Sequence, residues 1–423
     1  MAGSAVFVPK NRASQRLFRA FANPSYLRLW AANFLLYTAR WMQMTLLACL
    51  VLELTNSPWL VALVGFFSSA PMFLLGLVGG VMADRVNRQR LLRLTQMGNV
   101  TVSLLLVVVL SAGVVEVWHA YLVIAVSGAC WALDTPSRRA LIFDLLGLEG
   151  VTNAMALDSV GQNTSRMCGP ALAGVLITLL GVAGGYVVVT CFYAAQLLLL
   201  WSLRLPALAR QLRRQQSMRR NLIEGFHYIL TNRTLLATVC ITVVMNMLLF
   251  PYVQMVPIIA RDVLHMEPFV MGLLQAAEGC GALIGAMLIA SAVSMQYHGR
   301  LFLGGSLLAL LALLAFALSH WYVLSFPVLL FLGLGTAGFG TMQSTLVVLA
   351  AKEDMRGRAL GVVSLAIGTG PLGSLLMGAM ASAVHPVFAL RVSALLGITG
   401  LALIALVLPI IFARTQSPPT ASA

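Results

Sequence analysis

Charge is what this chain is short of: Asp, Glu, Lys and Arg make up 9% of its 423 residues, against 60% hydrophobic residues. A soluble globule carries about a quarter charged residues, so a water-coated domain is excluded. Acids are scarcer still, 13 against 27 Lys and Arg, for a formal net charge of +14. The six cysteines (49, 130, 168, 191, 240 and 280) all lie in apolar blocks at no paired or ligand spacing. That excludes a disulfide framework and a zinc site, and leaves them as small buried hydrophobes. No phosphate-binding glycine loop followed by Lys-Ser/Thr is present, which argues against ATP as the energy source. Residues 1–25 lack an apolar core and a cleavage site, so no signal peptide is expected. None of the six histidines falls where it could relay protons in the middle of an apolar block, and neither metal nor cofactor is expected.

What the chain does have is long apolar runs. Twelve blocks, near 29–53, 59–83, 91–112, 118–142, 156–180, 183–203, 235–260, 268–293, 301–318, 321–350, 359–384 and 387–412, are each about as long as the roughly 20 residues a helix needs to cross a bilayer. The fold class expected is therefore all-α and integral to a membrane. Basic residues decide the orientation. All Lys and Arg except Arg40, Arg166, Arg261 and Arg391 fall on one side of a twelve-span arrangement. That is the positive-inside bias, so both termini are expected in the cytoplasm of a multi-pass protein of the cell (inner) membrane, and the high net charge does not signal nucleic acid. Trp30, Trp59, Trp118, Trp201 and Trp321 sit at span ends, as interfacial anchors do. The longest polar interruption splits the chain into a tail (1–28), a six-span half (29–203), a cytoplasmic linker (204–233), a second six-span half (234–413) and a short tail (414–423). Within the linker, Leu222 to Leu230 fits either an amphipathic helix on the inner leaflet or a solvated connection.

Three charges fall near the middle of predicted spans: Arg40, Arg166 and Glu278. Each costs roughly 2.5–3.5 kcal/mol on insertion scales and needs a partner or a wet cavity. Small residues recur every four positions in the fifth span (Gly161, Ser165, Gly169, Ala173) and in the eighth (Ala277, Gly281, Gly285), making stripes for close helix packing. Arg166 and Glu278 each follow one stripe residue by one position. Glu278 is readable as an ion-pair partner, as a proton-titrating carboxylate or as a structural acid.

Between the second and third spans, Gly80-Val81-Met82-Ala83-Asp84-Arg85-Val86-Asn87-Arg88-Gln89-Arg90 resembles the motif A loop of the major facilitator superfamily. Trp41-Met42-Gln43, the run Leu133 to Leu141, Asn153 to Ser159, Gly169-Pro170-Ala171-Leu172-Ala173-Gly174, and Arg356-Gly357-Arg358 running into Gly370-Pro371 resemble its branch of siderophore and drug exporters. That branch includes enterobactin exporters, macrolide efflux proteins and lysophospholipid transporters. The sequence departs from the family pattern at Asn87, where Gly is usual, at Gln89, where a base is usual, and at Ala173, which breaks the glycine pair.

The resemblance implies two six-helix bundles rocking around a central cavity. It places Asp84, in a loop with Gly80 and Arg85, near the start of the eleventh span around Arg358 to Gly361, and Arg88 on Asp134 or Asp144, as a latch on the inner gate. Because the fifth and eighth spans abut in the superfamily, Arg166 and Glu278 are brought within reach of each other, with Gly161, Gly169, Pro170, Gly174, Gly281 and Gly285 as packing positions. The first, fourth, seventh and tenth spans line the cavity, which implies substrate contacts from Tyr37, Arg40, Trp41, Asn246, Tyr252, Gln254 and Gln343. Met42, Met44, Met245, Met247, Met255 and Met342 would soften its wall. The function implied is a monomeric secondary exporter of amphipathic siderophore-like or drug-like molecules, working by alternating access and proton antiport among membrane lipids. A lysophospholipid flippase of the same fold and a non-transporting sensor are the rivals. A membrane-embedded enzyme lacks the convergent acid, base and nucleophile it would need.

Overall fold

The computed structural model describes residues 19–85, 87–203, 218–291, 296–352 and 355–413, with 19, 76–85, 148–149, 152 and 218–222 as backbone only. Among these residues it is helical throughout, with no strand. Eleven stretches are long and apolar enough to cross a membrane. One of them, Asn153–Trp201, has 49 residues, which is roughly 74 Å of helix and more than twice the hydrocarbon thickness. It is broken at Gly181, whose φ of 70° and ψ of 178° are non-helical and accessible to a residue without a Cβ. That reversal divides it into the fifth expected span (153–180) and the sixth (182–201), so the described residues hold twelve helical stretches of spanning length.

The first span, Pro24–Thr55, is the most enclosed. Asn23 starts it by accepting from the Ser25 and Tyr26 amides, and Asn56 ends it in the left-handed conformation (φ 49°). It packs along the fourth and fifth spans, and the polar side chains of this interior satisfy one another. Asp134, 1% exposed, accepts from Arg138 Nη2 at 2.8 Å and from Thr95 and Gln96. Arg138 passes a second hydrogen bond to Asn33 Oδ1 at 2.6 Å. Asn33 donates to Asp158 Oδ1 at 2.8 Å, and the Tyr37 hydroxyl donates to Asp158 Oδ2 at 3.0 Å. The first, third, fourth and fifth spans are thereby joined by one hydrogen-bonded network in a medium where an unpaired polar group is costly.

The second half is less continuous. The seventh span, Arg233–Asp262, passes through a π turn at Met245–Leu249 just before Pro251 and resumes at Tyr252. Proline has no amide to donate and clashes with the carbonyl four residues back, so the helix widens there. The eleventh span, Arg356–Ala383, breaks between Ile367 and Gly370, ahead of Pro371. In the linker, Met218–Thr231 is helical; residues 204–217 lie outside the described set.

The two halves meet along the fifth and eighth spans and along the second and eleventh. The glycine stripes make close helix contacts, but with different partners. Gly161 and Gly169 face Trp30 and Trp41 of the first span, and Gly281 and Gly285 face Leu330, Leu334 and Ala337 of the tenth, so both stripes pack within their own half. The crossing between halves is built by Gly174 and Gly272. A Cβ on Gly272 would lie 2.5 Å from the Pro170 carbonyl oxygen, and one on Gly174 would lie 2.6 Å from that of Pro268. Above this crossing, at the end of the bundle opposite the Arg88 loop, Arg261 Nη1 donates to Asn56 Oδ1 at 2.8 Å and closes the first span against the seventh.

Removing one member of the Asp134–Arg138 pair strands the other. Asp134→Leu is expected to lower stability by about 3–5 kcal/mol, and Asp134→Leu with Arg138→Met to recover most of the loss. Thermal unfolding of the purified variants in detergent checks this; a double variant as unstable as the single one would contradict it.

Candidate functional site

At the level where the halves cross, a cavity is walled by Trp41, Met44, Thr45 and Ala48 of the first span, Arg166 and Pro170 of the fifth, Tyr252, Val253, Gln254 and Val256 of the seventh, Gln275 and Glu278 of the eighth, and Leu329 of the tenth. Both halves contribute. The space has room for little more than a water molecule, about 20 Å³. A larger organic molecule does not fit in this arrangement of the halves.

Two charges face each other across this cavity. Arg166 Nη2 lies 2.5 Å from Glu278 Oε1, and the two belong to different halves. The carboxylate also accepts from Thr336 Oγ1 at 3.2 Å, and the guanidinium carbon stands 5.3 Å from the Trp41 ring centroid, an added cation–π contact. The side chains are unequally covered: 18% exposed for Arg166 and 5% for Glu278. Arg166 Nε is buried and has no hydrogen-bond partner. Close backbone approach makes the pairing possible, because a Cβ on Gly279 would meet Met167 at 2.6 Å. Above the pair, Thr45 Oγ1 donates to Gln275 Oε1 at 2.6 Å, another polar bond between the halves, this one from the first span to the eighth.

Of the seven residues expected to contact substrate, Trp41, Tyr252 and Gln254 line this cavity and four do not. Arg40 is turned about 100° from Trp41 on the same helix. Its guanidinium sits over Trp131 at 4.6 Å and reaches Ser68, inside the first half. Tyr37 lies one turn from Trp41 and gives its hydroxyl to Asp158. Asn246 donates to the Thr242 carbonyl and Gln343 donates to the Thr242 hydroxyl, both at 2.9 Å, so these amides serve the packing of the seventh and tenth spans. Only Met44 of the six named methionines is on the wall; Met42, Met245, Met255 and Met342 are packed in the core.

The loop expected to latch the inner gate is described in part. The side chains of Gly80, Asp84 and Arg85 lie outside the described residues, and so does the expected docking of Asp84 at the eleventh span. Arg88 Nη1 stands 2.5 Å from Asp144 Oδ2. Asp134, the other acid offered as its partner, is instead held by Arg138 one turn away on its own helix. At the first turn of the eleventh span, Arg358 Nη1 is 3.1 Å from Glu224 of the linker helix.

Sequence reasoning passed over Thr45, Gln275 and Thr336, and gave Asp158 no role beyond its run. Each is a polar side chain inside an apolar block, a signal that was present; what was missing was the helix rotation that tells a cavity face from a packing face.

Comparison with known proteins bears on this arrangement. A family profile described as transmembrane secretion effector matches residues 16–421. The chain is 24% identical to the staphyloferrin A transporter of Staphylococcus aureus, over 82% of this chain and 87% of that one. It is 27% identical to the enterobactin exporter of Citrobacter koseri, over 86% and 87%. Among solved structures, it matches a bacterial homologue of the human lysosomal transporter Spinster with a TM-score of 0.68 at 16% identity, covering 93% of this chain and 97% of that one. A peptide transporter in complex with sulfate matches with a TM-score of 0.75 at 11% identity, covering 92% and 95%.

Exchanging the two charges tests the pair. Arg166→Glu and Glu278→Arg each place like charges in contact and are expected to cost about 3–5 kcal/mol of stability, with the double exchange regaining at least half. Unfolding midpoints of the three variants decide it. A double variant no better than either single one removes the pairing.

Proposed function

We propose a transport mechanism from one premise: the chain belongs to the transmembrane secretion effector family of the major facilitator superfamily. Its relatives include transporters named for siderophores, and the chain is a membrane transporter of small molecules. The finer reading is export of amphipathic, siderophore-like or drug-like molecules from the cytoplasm by alternating access, with inward movement of protons as the driving exchange.

The observation that carries this reading is the Arg166–Glu278 pair. It spans the two halves, lines a cavity too small for cargo, and sets a carboxylate against a guanidinium. With Glu278 ionised the pair draws the fifth and eighth spans together. A proton on Glu278 removes the attraction, and the carboxyl group keeps Thr336 as a hydrogen-bonding neighbour. Cargo entering between the halves then meets the Trp41 face and the Gln254 and Gln275 amides, a wall of one aromatic and few polar groups suited to amphipathic molecules. The concentration of basic residues in the loops at the Arg88 end supports a cytoplasmic location for that end and for both termini by the positive-inside rule. The Arg88–Asp144 pair lies at this end and the Arg261–Asn56 bond at the other, so each end has a contact that opening would break.

Inside-out vesicles holding an acid interior test the exchange. Siderophores, macrolides, cationic dyes and lysolipids are added in turn while proton efflux is recorded. A substrate-evoked efflux is expected for the intact chain and at least tenfold less for Glu278→Gln. Silence across the panel, in vesicles shown to hold folded protein and a gradient, would overturn proton-coupled export of these compounds.

A further inference from the structure

The linker helix Met218–Thr231 presents two different faces. On one, Gly225 approaches the eleventh span so closely that a Cβ would lie 2.9 Å from the Arg358 carbonyl oxygen. Ile229, 2% exposed, joins Leu235, Val347, Ala351, Ala359, Val362 and Val363 in a small apolar core. The Tyr228 hydroxyl accepts from the Lys352 amide at 3.0 Å, and Glu224 pairs with Arg358 at 3.1 Å. The helix is therefore fixed to the ends of the tenth and eleventh spans.

On the other face, Ile223, Phe226 and Leu230 are 60%, 56% and 54% exposed. Their spacing of three and four residues puts them in one row. Three bulky apolar side chains in a row are costly in water. The bilayer core is no alternative: a helix of 14 residues reaches roughly 21 Å and cannot cross it. The boundary between headgroups and acyl chains suits both the apolar row and the polar remainder. Charge points to the same place. Residues 204–233 contain seven arginines and one acid, Glu224, which is engaged by Arg358.

We propose that this helix is an anchor to an anionic lipid leaflet, with Ile223, Phe226 and Leu230 inserted among the lipids and Gly225 and Glu224 holding the start of the eleventh span to the membrane surface. Movement of that span is then resisted or released according to the charge of the leaflet. The anchoring holds whatever the cargo and whatever ion drives it.

The test uses the full chain in vesicles of phosphatidylcholine with about a quarter phosphatidylglycerol, a strongly anionic surface. p-Benzoylphenylalanine is placed at Phe226 or at Ile229 and irradiated. A phospholipid adduct is expected at 226 and a cross-link to the tenth or eleventh span at 229. Absence of lipid adduct at 226, or a cross-link there to another protein chain, overturns the anchor. Amide hydrogen exchange across 218–231 is expected to be about tenfold faster in vesicles without phosphatidylglycerol, and equal exchange overturns the requirement for anionic lipid. Gly225→Leu forces the helix off Arg358. Faster exchange across 356–361 with the 226 adduct retained is expected; unchanged exchange across 356–361 overturns the tether.

Discussion

A charge in hydrocarbon must have a partner, and this chain has few charges to place. Each ionic pair inside the bundle therefore fixes geometry out of proportion to its number. Asp134 and Arg138 lie one turn apart on one helix, and what they pin is the set of spans whose side chains complete their hydrogen bonds. Arg166 and Glu278 lie on different halves, so their pairing fixes the register of the fifth span against the eighth. Breaking such a pair by taking away one partner leaves a buried charge, at a cost of about 3–5 kcal/mol. The first pair lies within one helix and the second joins the two halves, and that placement is what sets them apart.

The surface along which the halves meet has matching properties. Gly174 and Gly272 let the backbones touch, and Gly279 does the same beside Arg166. Association of helices in lipid has no hydrophobic drive, because lipid tails are as apolar as leucine; it rests on close contact and on polar bonds. Here the close contact comes from glycines and the polar bonds from Arg166–Glu278 and Thr45–Gln275. The glycines set how near the halves lie, and the polar bonds add direction to that contact.

Much of this was legible in the sequence, and the failures have a common cause. Block length and the distribution of arginine were enough for twelve passes, with the turn at Gly181 falling in the expected gap between 180 and 183. Arg166 and Glu278 stood out because charge at mid-span is costly, and no neighbour had to be known for that. Arg40 stood out for the same reason, yet it turns into its own half, over Trp131. The small-residue stripes identified faces of close contact but not their partners: Gly169 meets Trp41 and Gly281 meets Leu330, both within a half. Periodicity tells which residues share a face. Which face looks at which neighbour depends on the rotation of every helix in the bundle, and short apolar loops leave that rotation to packing.

The two halves also differ in how continuous their helices are. In the first, the network from Thr95 and Gln96 through Asp134, Arg138 and Asn33 to Asp158 ties four spans with directional bonds, and a change in any helix rotation would break several at once. In the second, the seventh span is interrupted by the π turn ahead of Pro251 and the eleventh is broken ahead of Pro371. The two interruptions touch, since a Cβ on Gly373 would lie 2.3 Å from the Met247 carbonyl oxygen. Helices bend where their hydrogen-bond ladder is already open, and two such points in contact form a waist rather than two separate kinks. Tyr252, Val253 and Gln254, which wall the cavity, follow directly on one of them. The Arg166–Glu278 pair thus joins a half tied by one polar network to a half with two interrupted spans, and the interruption in the seventh span lies beside the cavity.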